Sequence, residues 1–597
     1  MSDSIDKDLL TAFTPQRVVQ AFYRYKLAKW DRFSDPEDPD ISIPMGADGV
    51  TFEAFEKQFE RHAKNICRRI QDDSYIFYPF RELEIEKEPA TAEKPAKYRT
   101  LSIASIRDAL VQTILYNDVL YKPIEELFSG LDTPKVVSFA YRKGKSAPAG
   151  AQAVYSYIQS GYWFVFDADL SKYFDTIPHD KLLDRLALVI GGKESKTYKL
   201  VRRFVHTDRV EHKTYKYKGR KGKYPGYKIF HWQKPQRTRR TMGLPQGGVL
   251  SGMLANLYLH DFDEWVVNEL GRSIDLKYVR YADDFVILAR SPDDLETIHQ
   301  EVRERIKPLG LQLNEDKTDK LDVRVKGLDF VGFHFDSAHM RVRERNIERY
   351  KNRIQGILDT LPQYIEDRDD PETTLRWLSW RIKYKVQGLS GKEQCPGCGQ
   401  GRVGPPRSWM AFFQVVTDIE QLRELDKWTR RTVYDFMYQK YSVRVKRSDL
   451  HKVGFRSLVN ERYRIPKSRL KPCLCEIEEL GLWYFARDMY EGKQFHTLAR
   501  KRPFIVNRVD SNGLQAVVGG KKNLIARDTF IKLWDRLTRD KKISRAELEQ
   551  EGIQSTSQIV TLISELPGVN TTLWPITLYF TDKKPAEFLL PRVKKTK

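Results

Sequence analysis

The segment KYVRYADDFVILA, residues 277–289, narrows the possible folds more than any other stretch of this chain. Tyr278, Val279 and Tyr281, and then Phe285, Val286, Ile287 and Leu288, are strand formers on either side of Asp283 and Asp284. Such a pattern reads as two antiparallel strands joined by a tight turn with the acids at its tip. Two adjacent carboxylates between apolar strands are costly to bury unless something cationic neutralises them. Hard divalent cations with oxygen ligands do that.

A second acid-bearing strand lies upstream, in FVFDADLSKYFDTIPH, residues 164–179. Asp169 ends an apolar run immediately before a turn, and Asp167 lies two residues earlier on the same strand face. Either can supply the partner carboxylate, and acids from neighbouring strand ends can hold two metal ions about 4 Å apart. Between the two acid motifs stands GLPQGGVLSGMLANLYL, residues 243–259. There Gly243, Gly247 and Gly248 permit close backbone approach, Pro245 fixes a turn, and Gln246 can hydrogen-bond a ligand.

Charge narrows the partner. The chain of 597 residues has 103 Lys plus Arg against 81 Asp plus Glu, a net charge of +22. A surplus of that size suits a polyanion, because neutralising phosphates releases condensed counterions. Thirty Tyr, thirty Phe and eleven Trp supply rings on which bases can stack, although most will fill cores. No apolar run reaches the ~18 residues of a membrane span, and the opening MSDSIDKDLL is acidic where a signal peptide would be basic and then apolar. Five Cys are too few for a disulfide framework. A cytoplasmic protein with no membrane partner is the expectation.

The three motifs, in this order, resemble the reverse transcriptase family, and within it the group II intron-encoded proteins and their bacterial retroelement relatives. The text that carries the resemblance is YRTLSIASIRDALVQ, SFAYRKGKSA, FDADLSKYFDTIPHDKLL, LPQGGVLSGMLANLYLHDFD, RYADDFVIL, LGLQLNEDKT and LDFVGFHF, spread over residues 97–335. It implies an RNA-directed DNA polymerase, a nucleotidyltransferase of α+β right-hand architecture with fingers, an antiparallel palm sheet and a helical thumb. By that resemblance Asp169 and Asp283 are direct ligands of two Mg²⁺ ions (or Mn²⁺), with Asp284 adjoining. Lys317 would protonate the leaving pyrophosphate. Phe174 would exclude a 2′ hydroxyl, Arg99 and Lys97 would grip the triphosphate, and Gln246 would touch sugar or template. Gly332 would mark the turn supporting the primer strand. Implied partners are an RNA template, a DNA or RNA primer, dNTPs and a cognate structured RNA.

The pattern along the chain divides it into a helical extension (1–80), fingers and palm (81–345), a helical thumb or maturase-like region (346–450), a connector (451–500) and a terminal unit (501–597). The fingers and palm contain a basic insertion, 211–241, whose Arg237, Arg239 and Arg240 are candidates for nucleic-acid backbone contact. On the thumb, Arg430, Arg431, Lys440 and Arg444 are candidates to line a duplex groove, with solvated helix charges as the plainer reading. In the terminal unit, Phe530, Leu533, Trp534 and Leu537 follow helical spacing, as do Ile559, Leu562, Ile563 and Leu566 behind a Ser555 cap. With the run LWPITLYF they suggest a small winged helix-turn-helix. Residues 497–597 hold no His and no Cys, so a C-terminal HNH nuclease is not expected. Cys395, Cys398, Cys473 and Cys475 make a C-x-x-C and a tight C-x-C far apart, which favours free thiols over zinc. Two other readings stay open: a maturase that binds intron RNA as a splicing cofactor, and a template-independent polymerase on the same scaffold. The setting stays open among intron mobility, repair, CRISPR adaptation and antiviral defence.

Overall fold

The structure, a computed structural model, describes residues 2–29, 46–88, 95–132, 135–211, 220–221, 228–229, 237–361, 370–382, 392–394, 401–403, 408–464, 482, 486, 490–509, 512–566, 568–573 and 575–580. It divides into two units, one of residues 1–388 and 408–462 and the other of residues 389–407 and 463–597.

The first unit is organised around a four-stranded antiparallel sheet in the order Asp319–Asp322, Phe164–Asp169, Asp284–Ala289, Leu276–Tyr281. Period-two alternation decides its faces. Phe166, Phe285 and Tyr278 turn to one side, where Phe262 of helix Ser251–Trp265 and His299 of helix Pro292–Ile306 pack on them at ring distances of 5.4–6.2 Å and 5.5 Å. Asp167, Asp169 and Asp284 turn to the other. Helices cover one face of this sheet and carboxylates line the other.

A second sheet, ordered Lys97–Ile103, Phe80–Glu88, Arg209–Glu211, Arg237–Thr238, includes one parallel pair, between Phe80–Glu88 and Arg209–Glu211. Strands at both ends of the basic insertion are therefore anchored to this sheet, and inside it Arg220–Lys221 pairs with Lys228–Ile229. Among the described residues four helices precede the sheet, from Ser2–Ala12 to Phe59–Gln71. After the acid-bearing sheet come three short antiparallel strands, Leu328–Phe330, Phe333–Phe335 and Met340–Val342. Helices Glu344–Thr360, Pro371–Ile382 and Ile419–Tyr441 follow, joined by Tyr350 to Thr429 at 2.8 Å and Thr374 to Tyr441 at 2.6 Å. Among the described residues no helix is long and apolar enough to cross a membrane.

The second unit holds a four-stranded meander, Gln494–His496 through Lys521–Ala526. It is followed by helix Arg527–Asp540, strand Lys542–Ser544, helices Arg545–Gln550 and Thr556–Ser564, and a hairpin of Val569–Leu573 with Ile576–Phe580. That order, with Ile576–Phe580 between the other two strands, is the winged-helix arrangement. The sequence reading missed the meander and began the unit at 501, because its strands are short and their apolar positions few. The run LWPITLYF is split at Pro575 between two strands, not one. Ser555 stands at the helix start with φ of 58° and makes no side-chain capping bond, so it is not the cap expected of it. Helix Thr556–Ser564, which would read a DNA groove, buries six of its nine residues, and the Tyr490 hydroxyl donates to the Leu562 carbonyl at 2.7 Å. It carries no Lys or Arg. Meander and helices share one apolar core, so this helix serves packing.

Candidate active site

Register builds the site. Asp169, the last residue of its strand, pairs directly opposite Asp284, and Asp167 pairs opposite Val286 on one side and Asp319 on the other. Directly opposite residues have neighbouring side chains, so Asp169 and Asp284 stand side by side with Asp167 one step along. Asp283 lies in the two-residue turn between Tyr281 and Asp284, and its carbonyl accepts the Leu170 N–H at 3.3 Å. The turn is closed by Ala282 at φ 63°, a conformation that costs a non-glycine residue energy.

Two further side chains converge on Asp169. Lys317 Nζ donates to its Oδ2 at 2.6 Å and Asn314 Nδ2 to the same oxygen at 3.2 Å, while the Asn314 N–H donates to the Asp169 carbonyl at 2.8 Å. Burial, followed by the charges of Asp167, Asp169 and Asp283, holds the Asp284 carboxyl well above the usual range against the pull of Lys317. Burial, with Asp319 and Asp169 adding repulsion, pushes Asp167 up to about 7. Partial burial works against the Lys317 ammonium, yet its hydrogen bond to Asp169 and the nearby Asp283 and Asp284 hold its pKa above the ordinary lysine value. Among the described residues no three acidic, His or Cys side chains are gathered as a ready chelate. The raised proton affinity of Asp284 and Asp167 nonetheless marks a cluster short of positive charge, and the donors are all oxygen, the set that fits a hard divalent cation.

The GLPQGG turn seats itself between this site and strand Lys97–Ile103 of the second sheet. Gly243 has φ 77°, and a Cβ there would lie 2.7 Å from the carbonyl oxygens of Phe174 and Asp175. Gly247 has φ 110°, and a Cβ there would meet Leu101 Cδ1 at 2.9 Å and the Ser102 carbonyl at 3.0 Å. Leu244 N–H donates to the Phe174 carbonyl at 2.6 Å, and Ser102 N–H to the Gln246 carbonyl at 2.7 Å. Gln246 Nε2 lies 3.4 Å from both Asp175 oxygens. Behind the turn, His179 Nε2 donates to the Gly243 carbonyl at 2.8 Å, and its Nδ1 faces His206 Nδ1 at 3.2 Å.

The strand pairing brings Asp169, Asp283, Asp284 and Lys317 together, and the turn holds the Phe174 backbone through Leu244 and sets Gln246 against Asp175. Arg99 is exposed, on the same strand face as Leu101 and opposite Ile85. The Lys97 side chain lies outside the described residues. Gly332, at φ 91°, turns the chain between two short strands, and its carbonyl accepts Asn346 Nδ2 at 3.0 Å. Arg237 and Arg239 are exposed. Arg240 is not a surface contact: it is 5% exposed and its guanidinium donates to Glu82 Oε1 at 2.7 Å. Burial, with repulsion from Arg209 added, lowers its pKa against the pull of Glu82, so the pair serves the sheet that holds Phe80–Glu88. On helix Ile419–Tyr441 and just beyond it, Arg431, Lys440 and Arg444 are exposed and Arg430 is half-buried. Cys395, Cys398, Cys473 and Cys475 lie outside the described residues.

One support escaped the sequence reading. Arg280 is fully buried and donates to Asp263 at 2.7 and 2.5 Å, to Asn256 Oδ1 at 2.9 Å and to the Ala282 carbonyl at 2.9 Å. It thereby holds the strained residue that aims Asp283. Its only signal was a lone Arg inside an apolar strand, RYADD, which reads as an exposed charge until its partner is known.

Residues 85–335 match the reverse transcriptase (RNA-dependent DNA polymerase) family. Similar proteins include an uncharacterised 91 kDa protein in the cob intron of Schizosaccharomyces pombe, 28% identical over 38% of this chain and 22% of that protein. The group II intron-encoded protein LtrA of Lactococcus lactis subsp. cremoris is 25% identical over 43% of this chain and 47% of LtrA. Protein YkfC of Escherichia coli K12 is 26% identical over 58% of this chain and 87% of its own length. The chain thus spans about half or less of the first two. Reverse transcriptases as a family use divalent metals such as Mg²⁺. With the matched span running from strand Phe80–Glu88 through both acid motifs, residues 85–335 are a reverse transcriptase domain, similar in sequence to group II intron-encoded proteins.

Proposed function

We propose that this chain copies RNA into DNA, extending a primer 3′ hydroxyl with deoxynucleotides. One observation carries the reading: the register that sets Asp169 opposite Asp284, with Asp283 in the adjoining turn and Lys317 on the Asp169 carboxylate. Asp169, Asp283 and Asp284 would hold two Mg²⁺ ions, with Mn²⁺ as a substitute. Bound there, the ions would make the primer hydroxyl a better nucleophile and offset triphosphate charge. The chain's own groups do the rest. Lys317, whose Nζ donates to Asp169, can hand a proton to the pyrophosphate oxygen as the new O–P bond forms and the old one breaks, while the primer hydroxyl's proton leaves to water. Phe174, held by the GLPQGG turn, closes the space a 2′ hydroxyl would need. Arg99 pairs with the triphosphate, a charge-assisted contact. Gln246 contacts sugar or template. RNA template, DNA or RNA primer, dNTPs and a cognate structured RNA are the partners, with exposed Arg237, Arg239, Arg431, Lys440 and Arg444 on their backbones.

The test is a primed RNA template with dNTPs and Mg²⁺. The native chain should yield template-length cDNA, and Asp169→Ala or Asp283→Ala none; extension by those variants at the native rate would sink the proposal. Extension that persists without RNA would favour a template-independent polymerase. Intron splicing supported by the Asp283→Ala variant would favour a splicing cofactor.

A further inference from the structure

Tyr141 is built unlike its neighbours. It is a non-glycine residue at φ 56°, and backbone strain of this kind costs about 1–3 kcal/mol and persists where surrounding structure over-determines it. The over-determination is visible on both sides. The Ala140 carbonyl accepts Asn256 Nδ2 at 2.5 Å and the Tyr141 carbonyl accepts the Tyr116 hydroxyl at 3.1 Å. The next residue, Arg142, is buried and paired with both Glu125 at 2.7 Å and Asp132 at 2.6 Å. All of this fixes a side chain that is 47% exposed, so core filling does not account for it.

The ring has a defined seat. It lies over Gly252, at the start of helix Ser251–Trp265, where an added Cβ would come within 2.4 Å of Tyr141 Cδ1. From there it meets Phe174 edge-on, with ring centroids 6.1 Å apart and planes at 78°. Tyr173 meets Phe174 edge-on as well, at 5.7 Å and 76°, and is itself anchored by its hydroxyl on the Ala255 carbonyl at 2.5 Å. Phe174 is therefore gripped by two rings, one buried and one facing the open side of the site near Asp283 and Tyr281. Burial, then those two groups, push the Tyr141 hydroxyl up to about 12, so the ring stays neutral there.

We infer that Tyr141 is a positioning residue for sugar discrimination: its ring braces Phe174 from the open side so that Phe174 cannot swing away from an incoming 2′ hydroxyl. The inference rests on the reading of Phe174 as the gate. An edge contact in a pocket of this kind sets the order of the effect, because small changes in apolar pocket shape alter selectivity by about tenfold or more.

The experiment measures kcat/KM for a deoxynucleotide and the matching ribonucleotide with the full chain on one primed RNA, with melting curves to confirm folding. Tyr141→Ala should lower the deoxy-over-ribo preference by about tenfold, and Tyr141→Phe, which keeps the ring, should hold the native preference. Gly252→Ala, which leaves both rings intact but drives Tyr141 from its seat, should relax the preference too. The double variant Tyr141→Ala/Phe174→Ala should match Phe174→Ala alone, since a brace has nothing to hold once the gate is gone. An unchanged preference in Tyr141→Ala while Phe174→Ala admits ribonucleotides overturns the brace alone. Equal preferences in native, Phe174→Ala and Tyr141→Ala proteins overturn the gate and the brace together. Multiplying effects in the double variant would mean that Tyr141 acts on the nucleotide directly, which also overturns it.

Discussion

At the scale of single residues, the acid cluster works through what surrounds it. Arg280 is the clearest case, a buried cation whose removal leaves Asp263 with no cationic partner, only the Tyr278 hydroxyl, while Ala282 loses its anchor. Breaking one partner of a buried pair typically costs about 3–5 kcal/mol. Arg280→Leu should therefore lower unfolding free energy by roughly that amount in a denaturant titration, and a loss under about 1 kcal/mol would show that the pair is dispensable. Lys317 makes a contrasting prediction, because it is half exposed and makes little of the fold. Lys317→Met should leave the melting temperature near native and cut nucleotide incorporation by about a hundredfold, the usual worth of a positioned acid. Native rates from that variant would return Lys317 to the status of a surface charge.

Elements decide how the GLPQGG turn is held. The GLPQGG turn is pinned from three sides, by the fingers strand at Ser102, the Phe174 segment, and His179 on Gly243. The His179–His206 contact needs one ring nitrogen to donate and the other to accept, so it is lost when both rings are protonated. Burial lowers the pKa of both rings, with Gly243 and Asp180 favouring the charged form of His179, and His206 and Arg240 opposing it. For His206, Arg202 and Arg239 act with burial, against Asp180. Histidines held neutral when folded stabilise fully above their ordinary pKa near 6.5, and that contribution is lost as pH falls below it. The melting temperature should drop more steeply between about pH 7 and pH 5.5 in the native chain than in His206→Gln. Parallel slopes would exclude the pair as the acid-sensitive contact.

For the whole molecule, the +22 net charge sets how binding responds to salt. Each phosphate neutralised contributes roughly −0.9 to the log–log slope of affinity against salt on duplex DNA. If Arg239, Arg431, Lys440 and Arg444 meet phosphates, their combined change to Ala should flatten the slope for a primer–template by about three to four. A slope identical to the native one would place the backbone contacts elsewhere. The winged-helix module belongs to this scale too. Its helix Thr556–Ser564 spends its face on the core of its own unit, so Ser557→Ala/Gln558→Ala should leave DNA affinity within about twofold, and a larger loss would make it a groove reader.

Much of the palm was legible before any coordinates, because its signals are local. Strand propensity, period-two alternation and a two-residue turn act over a few neighbours, and they suffice to place Asp283 and Asp284 at a hairpin tip and Asp169 at a strand end. The order of the motifs then identified the domain. The meander was illegible because its short strands carry too little apolar alternation to stand out. Partners were illegible for another reason: Arg240 meets Glu82 across 158 positions and Lys317 meets Asp169 across 148. No local preference encodes such distances. Local preference gives Arg240, Arg280 and Lys317 no partners, and only the tertiary packing decides that two are sealed structural pairs and that the third reaches the Asp169 carboxylate. The same holds for Tyr141, whose strained backbone and seat over Gly252 exist only once remote segments are brought together.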